Sequence, residues 1–325
     1  MLKKLLGGLA AAVLAFSPAI AQDVKEINFG IIATDGSASL RKHWQPLFDD
    51  MEKAVGVKIT PFFATDYGGI IEGMRFNKVQ VAYFGNKSAM EAVDRANGEV
   101  FAKIIGTDGS EGYNSLLVTH KDSPYKSVDD VLKNSKDVNF GIGEPNSTSG
   151  FLVPGYYVFA QNKVDPKTAF KTIRSANHTA NLMAAANKHV DVATFNTLDY
   201  EKMQQLQPQV LANVRVIWKS PLIAADPFVW RKDLSPELKA KIKTFMVNYA
   251  KGPNAAEEKE KLKLIPASAF AASNNDQLIP TRQLGLFTDR TKLDNDTNLS
   301  ASDKAAKLAE IDRKLAELDK QLAAK

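Results

Sequence analysis

The chain reads as an α/β protein of two lobes with like topology, preceded by a leader and followed by a helical tail. Three observations predict this. The tetrapeptide Asn28-Phe29-Gly30-Ile31 recurs as Asn139-Phe140-Gly141-Ile142, and Val79, Val81, Ala82 and Phe84 recur as Val190, Val192, Ala193 and Phe195, both at an offset of 111 residues. Within each repeat, short apolar runs alternate with amphipathic segments, the pattern of a mainly parallel sheet covered by helices. The first residues, MLKKLLGGLAAAVLAFSPAIAQ, place two lysines before an apolar core and end on Ala19-Ile20-Ala21, which predicts a signal peptide over 1–21 whose core is too short to span a bilayer.

In the first lobe INFGIIAT is expected as a strand, HWQPLFDDMEKAVG as a helix, VKITPFFA as a strand, GGIIEGMRF as a helix and VQVAYFG as a strand. In the second, VNFGIGE, FLVPGYYVFAQNK, FKTIRSA, HTANLMAAANK and VDVATFN follow in the same order. Pro154 and Gly155 would disturb a long helix, so the segment after VNFGIGE is expected to open with a short or bent turn. YNSLLVTHKDSPYKSVDDVL reads as a strand and a turn, then a helix capped by Ser127 with Asp129 and Asp130 in its first turn. The run VRVIWKSPLIAADPFVW would lead back to the first lobe, and Ser235-Pro236 opens a further helix. The expected limits are 22–119 with 219–290 for the first lobe, 120–218 for the second and 291–325 for the tail. In that tail Leu308, Ile311, Leu315, Leu318 and Leu322 form a heptad stripe, which either packs on its own protein or pairs two chains as a homodimer.

Open parallel sheets place ligands beyond the carboxyl ends of their strands. The loop after the first strand is TDGSASL in one repeat and PNSTSGF in the other, and the loop after the second strand carries Tyr67 in one and His178 in the other. Facing loops of this kind would form a site between lobes. Asn146, Ser147, Thr148 and Ser149 present hydroxyls and backbone N–H groups at a strand-to-helix turn. One hydroxyl is enough for a cap; three in a row before Gly150 point to an anion held by neutral donors. Tyr113 and Asp226 are further candidates, the latter either a turn residue before Pro227 or a partner for a cationic part of a ligand.

Composition narrows the function. The chain has 42 basic and 37 acidic residues, and without Lys3 and Lys4 the excess falls to 40 against 37, too mild and too scattered for a nucleic-acid partner. Cysteine is absent, which excludes disulfides, thiol catalysis and Cys-based metal sites. The four histidines make no metal motif, and neither a nucleophile elbow nor a phosphate-binding Walker loop occurs, so catalytic and metal residues and cofactors are expected to be absent. A binding protein therefore outranks an enzyme, and also an assembly protein built on the tail.

INFGII, DYGGIIEGMRFNKVQVAYFGN, SAMEAVDRANGEVFA, EPNSTSGFLVPGYYVFA, ANKHVDVAT, VIWKSPLI and DPFVWRK together closely resemble the periplasmic phosphonate-binding proteins of bacterial ABC importers. The resemblance covers nearly all of the mature chain. It implies a two-lobed type II periplasmic binding fold with a hinge between lobes, plus the C-terminal helical extension. It also implies a periplasmic location and delivery of a phosphonate ligand to an inner-membrane permease with its ATPase. By resemblance Ser147, Thr148 and Ser149, with Asn146 nearby, take the phosphonate group; Tyr67, Tyr113 and His178 surround it; and Asp226 meets the ammonium of an aminoalkylphosphonate. Family members that hold an ammonium use a glutamate after the Asn-Thr of the VDVAT segment; here Asn196-Thr197 is followed by Leu198. Asp199 is adjacent, but in an extended segment a one-residue shift turns a side chain away from the cleft. An apolar Leu198 suits a methyl or ethyl tail. The implied ligands are 2-aminoethylphosphonate or a simple alkylphosphonate, with phosphite or another small phosphorus oxyanion as the alternative.

Overall fold

The computed structural model describes residues 25–324; the predicted signal peptide lies outside the described residues. The first lobe opens with β1 (Glu26–Ile31), α1 (Ser37–Val55), β2 (Lys58–Phe63), α2 (Tyr67–Arg75), β3 (Val81–Tyr83), α3 (Asn86–Arg95) and β4 (Gly98–Ile105). A two-residue strand, β5 (Gly112–Tyr113), crosses to the second lobe, which holds β6 (Ser115–His120), α4 (Val128–Lys133) and β7 (Asn139–Ile142). It continues through a widely wound helical segment to α5 (Pro166–Ala169), β8 (Thr172–Ser175), α6 (His178–Ala186), β9 (Val192–Asn196), α7 (Thr197–Leu206), α8 (Pro208–Leu211) and β10 (Val214–Lys219). The chain returns through β11 (Ile223–Ala224) to β12 (Pro227–Arg231), α9 (Pro236–Asn248), α10 (Ala255–Leu262) and β13 (Ala269–Ala272), and ends in α11 (Ile279–Asp294) and α12 (Ala301–Ala323).

The strand order is β13-β4-β12-β3-β1-β2 in the first sheet and β10-β6-β9-β7-β8 in the second. The internal repeat survives as pairing register: Phe29 faces Val81 across β1 and β3, and Phe140 faces Val192 across β7 and β9, each pair displaced by the same 111 residues. Only these cores, β2-β1-β3 and β8-β7-β9, are parallel. The strand that arrives from the other lobe runs antiparallel to its neighbours, β12 between β3 and β4 and β6 between β9 and β10. The sheets are thus mixed rather than mainly parallel, because a crossing chain enters from the opposite end.

This pairing also corrects the junction expected at 119. Ser115–His120 belongs wholly to the second sheet, so the first crossing lies before Ser115. The two crossings lie side by side: β5 pairs antiparallel with β11, Tyr113 opposite Ile223. Gly112 is needed there, since a Cβ would stand 2.7 Å from the Ile223 carbonyl oxygen.

The first core centres on Phe29, Trp44, Phe48, Tyr83 and Phe228, whose rings contact one another beneath α1. In the second lobe two smaller clusters form, one around Phe195 and Leu182 and the other around Phe140 and Phe159. The heptad stripe of α12 packs in part on α11, with Leu315 buried, Leu322 exposed, and Gln283–Asp319 and Arg290–Asp312 contacts at its edges. No helix among the described residues is long and apolar enough to cross a membrane.

Candidate functional site

The loop after β7 is shaped by one proline and two glycines. From Thr148 to Leu152 and from Gly155 to Ala160 the backbone winds as a π-helix, a wide turn that is frequent at functional sites. Pro154 has no N–H to offer the Gly150 carbonyl four residues earlier. The Gly143 N–H takes that carbonyl instead, at 2.9 Å, tying the end of β7 to the first turn of the helix. Gly143 and Gly150 touch backbone to backbone, and a Cβ on Gly143 would lie 2.5 Å from the Gly150 Cα.

This clamp fixes three buried hydroxyls at a helix start. Ser147 accepts the Gly150 N–H at 3.0 Å and lies 3.4 Å from His178 Nε2. Thr148 Oγ1 accepts the backbone N–H of Lys87 from the first lobe at 2.9 Å. Ser115 holds the Ser149 carbonyl at 2.6 Å. Tyr67 and His178 stand at the first positions of α2 and α6, whose caps are equivalent in the repeat: Asp66 accepts the Gly69 N–H and Asn177 the Ala180 N–H, each at 2.8 Å. Tyr67 faces Ser147 across the interlobe space, and Tyr113 faces both Ser149 and Asp226. The pairing of β5 with β11 explains the last contact, because Tyr113 sits in one crossing and Asp226 just beyond the other.

Together these groups enclose a cavity of about 30 Å³ between the lobes, where roughly 10–15 Å³ on the same measure accommodates one water. Of the eight residues expected from sequence, Tyr67, Tyr113, Ser147, Thr148, Ser149, His178 and Asp226 line it. Asn146 does not. Its side chain accepts from Lys87 Nζ at 3.2 Å, making a bridge between lobes at the rim. The hydroxyl loop of the first repeat is also displaced: Thr34 reaches the cavity, whereas Ser37 is exposed and Ser39 bonds Asp35.

The electrostatics follow from burial. Tyr67 and Tyr113 are pushed well above the usual phenol range by desolvation, with Asp226 adding to the effect at both and Asp199 at Tyr67, so both keep their protons. Burial lowers His178, leaving a neutral ring with no partner for Nδ1. Burial also raises the Asp226 carboxyl to about 7, despite hydrogen bonds from Tyr113 and Tyr83, the latter at 3.0 Å; its Oδ1 has no partner. The anion loop thus offers neutral donors.

Leu198 and Asp199 both line the cavity. The segment after β9 is helical rather than extended, so successive residues of its first turn can both face inward, and the expectation that Asp199 turns away is corrected. Its carboxylate is nevertheless occupied: Lys202 Nζ holds Oδ1 at 2.8 Å and Asn196 Nδ2 holds Oδ2 at 2.8 Å.

A family model described as "ABC transporter, phosphonate, periplasmic substrate-binding protein" matches residues 29–278. The chain belongs to that family. It is 52% identical over 296 residues to the phosphonates-binding periplasmic protein of Escherichia coli strain K12, covering 91% of this chain and 86% of that one. A crystal structure of a binding-protein component of an ABC phosphonate transporter from Pseudomonas aeruginosa superposes with a TM-score of 0.89 at 50% identity, over 93% of this chain and 99% of that one. The fold alone is shared with a Prochlorococcus marinus protein, TM-score 0.70 at 21% identity, covering 81% and 98% of the two chains. As a family member the chain is a periplasmic phosphonate-binding component of an ABC transporter and not an enzyme, and its fold is the two-lobed periplasmic binding fold.

The sequence reading missed Tyr83, Lys202, His43 and Trp44, all of which reach the cavity. Tyr83 carried a usable signal, since it ends a strand of the parallel core, where ligands bind. Lys202 sits a turn after Asp199 on α7, at the spacing of a helical ion pair.

Proposed function

We propose that the chain captures a small alkylphosphonate between its lobes and delivers it to the inner-membrane permease and ATPase. The observation that carries this reading is the Ser147–Ser149 turn, fully buried, with the Ser147 and Thr148 hydroxyls held from behind by the Gly150 and Lys87 N–H groups and the Ser149 carbonyl held by Ser115. Hydroxyls and N–H groups at a helix start suit an oxyanion. Tyr67 comes from the opposite lobe, so binding and closure are one event. Neutral donors hold a phosphonate in either ionisation state without a fixed cation at the turn, which leaves the anion able to depart.

Two ligands are in scope. 2-Aminoethylphosphonate is favoured by the unpartnered Oδ1 of Asp226; methyl- or ethylphosphonate is favoured by the small cavity and by Leu198 in its wall. Calorimetric titration of unfolded and refolded mature protein with both, and with phosphite and phosphate, tests the reading. The Ser147→Ala/Thr148→Ala double variant is expected to lose at least 100-fold in affinity for whichever phosphonate binds; unchanged affinity sinks the proposed anion turn.

A further inference from the structure

Beside the anion turn the cavity wall carries a second feature, an ion pair between Asp199 and Lys202. Both side chains are buried. Asp199 is anchored within its own helix: Asn196 caps α7 by accepting the Asp199 N–H at 2.8 Å, and the Asn196 amide returns a bond to Asp199 Oδ2. With Lys202 on Oδ1, both carboxylate oxygens are taken. Lys202 is held from the other side as well, since Asp35 in the first lobe stands 3.9 Å away. Burial alone would discharge this lysine, yet Asp199 outweighs it and keeps the ammonium charged. The neighbouring wall is the apolar Leu198, and among the described residues that line the cavity the free carboxylate oxygen is Asp226 Oδ1, beside Gly85 and Thr148.

We propose that Lys202, fixed to Asp199 in the cavity wall, is a specificity-determining residue that sets the site against ammonium-bearing phosphonates and toward those with an uncharged substituent. The proposal rests on the phosphonate reading above and deepens it. A ligand ammonium entering here meets a buried like charge, and the nearby carboxylate that would compensate it is already bound by that charge and by Asn196. In a small cavity screened from water, like charges repel far more strongly than in solution. A methyl or ethyl group incurs no such repulsion and packs on Leu198.

The test is competitive calorimetry of the refolded mature protein with methylphosphonate, ethylphosphonate and 2-aminoethylphosphonate, on the wild type, Lys202→Met and Lys202→Gln. Glutamine keeps a donor for Asp199 should the methionine variant fail to fold. The wild type is expected to bind ethylphosphonate at least 10-fold more tightly than the amino compound. Removal of the lysine charge is expected to move that ratio at least 10-fold toward the amino compound, because Asp199 Oδ1 becomes free. A wild type that prefers the amino compound, or a ratio unmoved in both variants, overturns the proposal while leaving the phosphonate reading intact. A wild type that binds none of the three overturns both.

Discussion

The side-chain oxygen of Thr148, in the second lobe, accepts the backbone N–H of Lys87, in the first, at 2.9 Å. An oxygen that accepts from behind leaves its own proton to be donated, and the cavity is where Thr148 faces. The same contact joins the lobes, so one hydroxyl serves closure and recognition together. Thr148→Val is therefore expected to cost about 1.5–3 kcal/mol of ligand binding, the range for a hydrogen bond to a charged group, or about 10- to 150-fold in Kd. Thr148→Ser keeps the hydroxyl and should stay close to the wild type. Titration with methylphosphonate distinguishes them; a loss in Thr148→Ser with none in Thr148→Val would mean that the methyl group, not the hydroxyl, matters.

Gly143 predicts a separate effect, on placement of the turn. A methyl group there would overlap the Gly150 backbone, which cannot rotate away as a side chain can. Gly143→Ala is expected to destabilise by about 1–3 kcal/mol, the usual range for overpacking, and to weaken ligand binding as Ser147–Ser149 shift. Gly155→Ala is the control: nothing lies within 4 Å of its Cβ position, and in a helical segment alanine is favoured over glycine. Denaturant titration and calorimetry on both variants check the contrast.

Asp226 predicts a pH dependence whose sign is opposite to that of an ordinary paired carboxylate. Its folded value is raised to about 7, against ~3.9 in the unfolded chain. Between those limits the native state holds a proton that the unfolded state has released, so stability falls as pH rises from about 4 to 7 and the loss is complete above 7. Asp226→Asn cannot ionise. The stability of ligand-free Asp226→Asn relative to the wild type should therefore grow across that window, by up to about 4 kcal/mol, and then level off. A difference that is flat from pH 4.5 to 8 would show that Asp226 is not desolvated as the structure has it.

What could be read from the chain in advance divides along physical lines. The repeat, the strand cores and the cap at Ser127 depend on residues close in sequence, and the structure places them as expected. The turn Ser147–Ser149 was legible because one cap does not require three hydroxyls. The antiparallel insertion of β12 and β6 was not, since strand direction is set by where the chain arrives from. Nor was the use of Tyr83 or Lys202: Tyr83 meets Asp226 from 143 residues away, and Lys202 meets Asp35 only across the interlobe space. Pro154 had shown that the helix would be irregular, but not that the carbonyl it released would be taken by Gly143.

The C-terminal helix gives the last prediction, because its two kinds of contact should behave differently. The Arg290–Asp312 pair is exposed on both sides, and such pairs contribute ~0–1 kcal/mol. Leu315 is 9% exposed against α11, and truncating a buried leucine costs about 2–5 kcal/mol. Arg290→Ala should thus be nearly silent in thermal unfolding, whereas Leu315→Ala should lower the midpoint clearly. The seam lies within one chain, so the drop should not change over a hundredfold range of protein concentration; a seam between chains would make the parent midpoint rise with concentration. Ligand affinity should be unaffected in both variants, since no residue of α12 lines the cavity. A concentration-dependent difference would place the stripe between molecules instead.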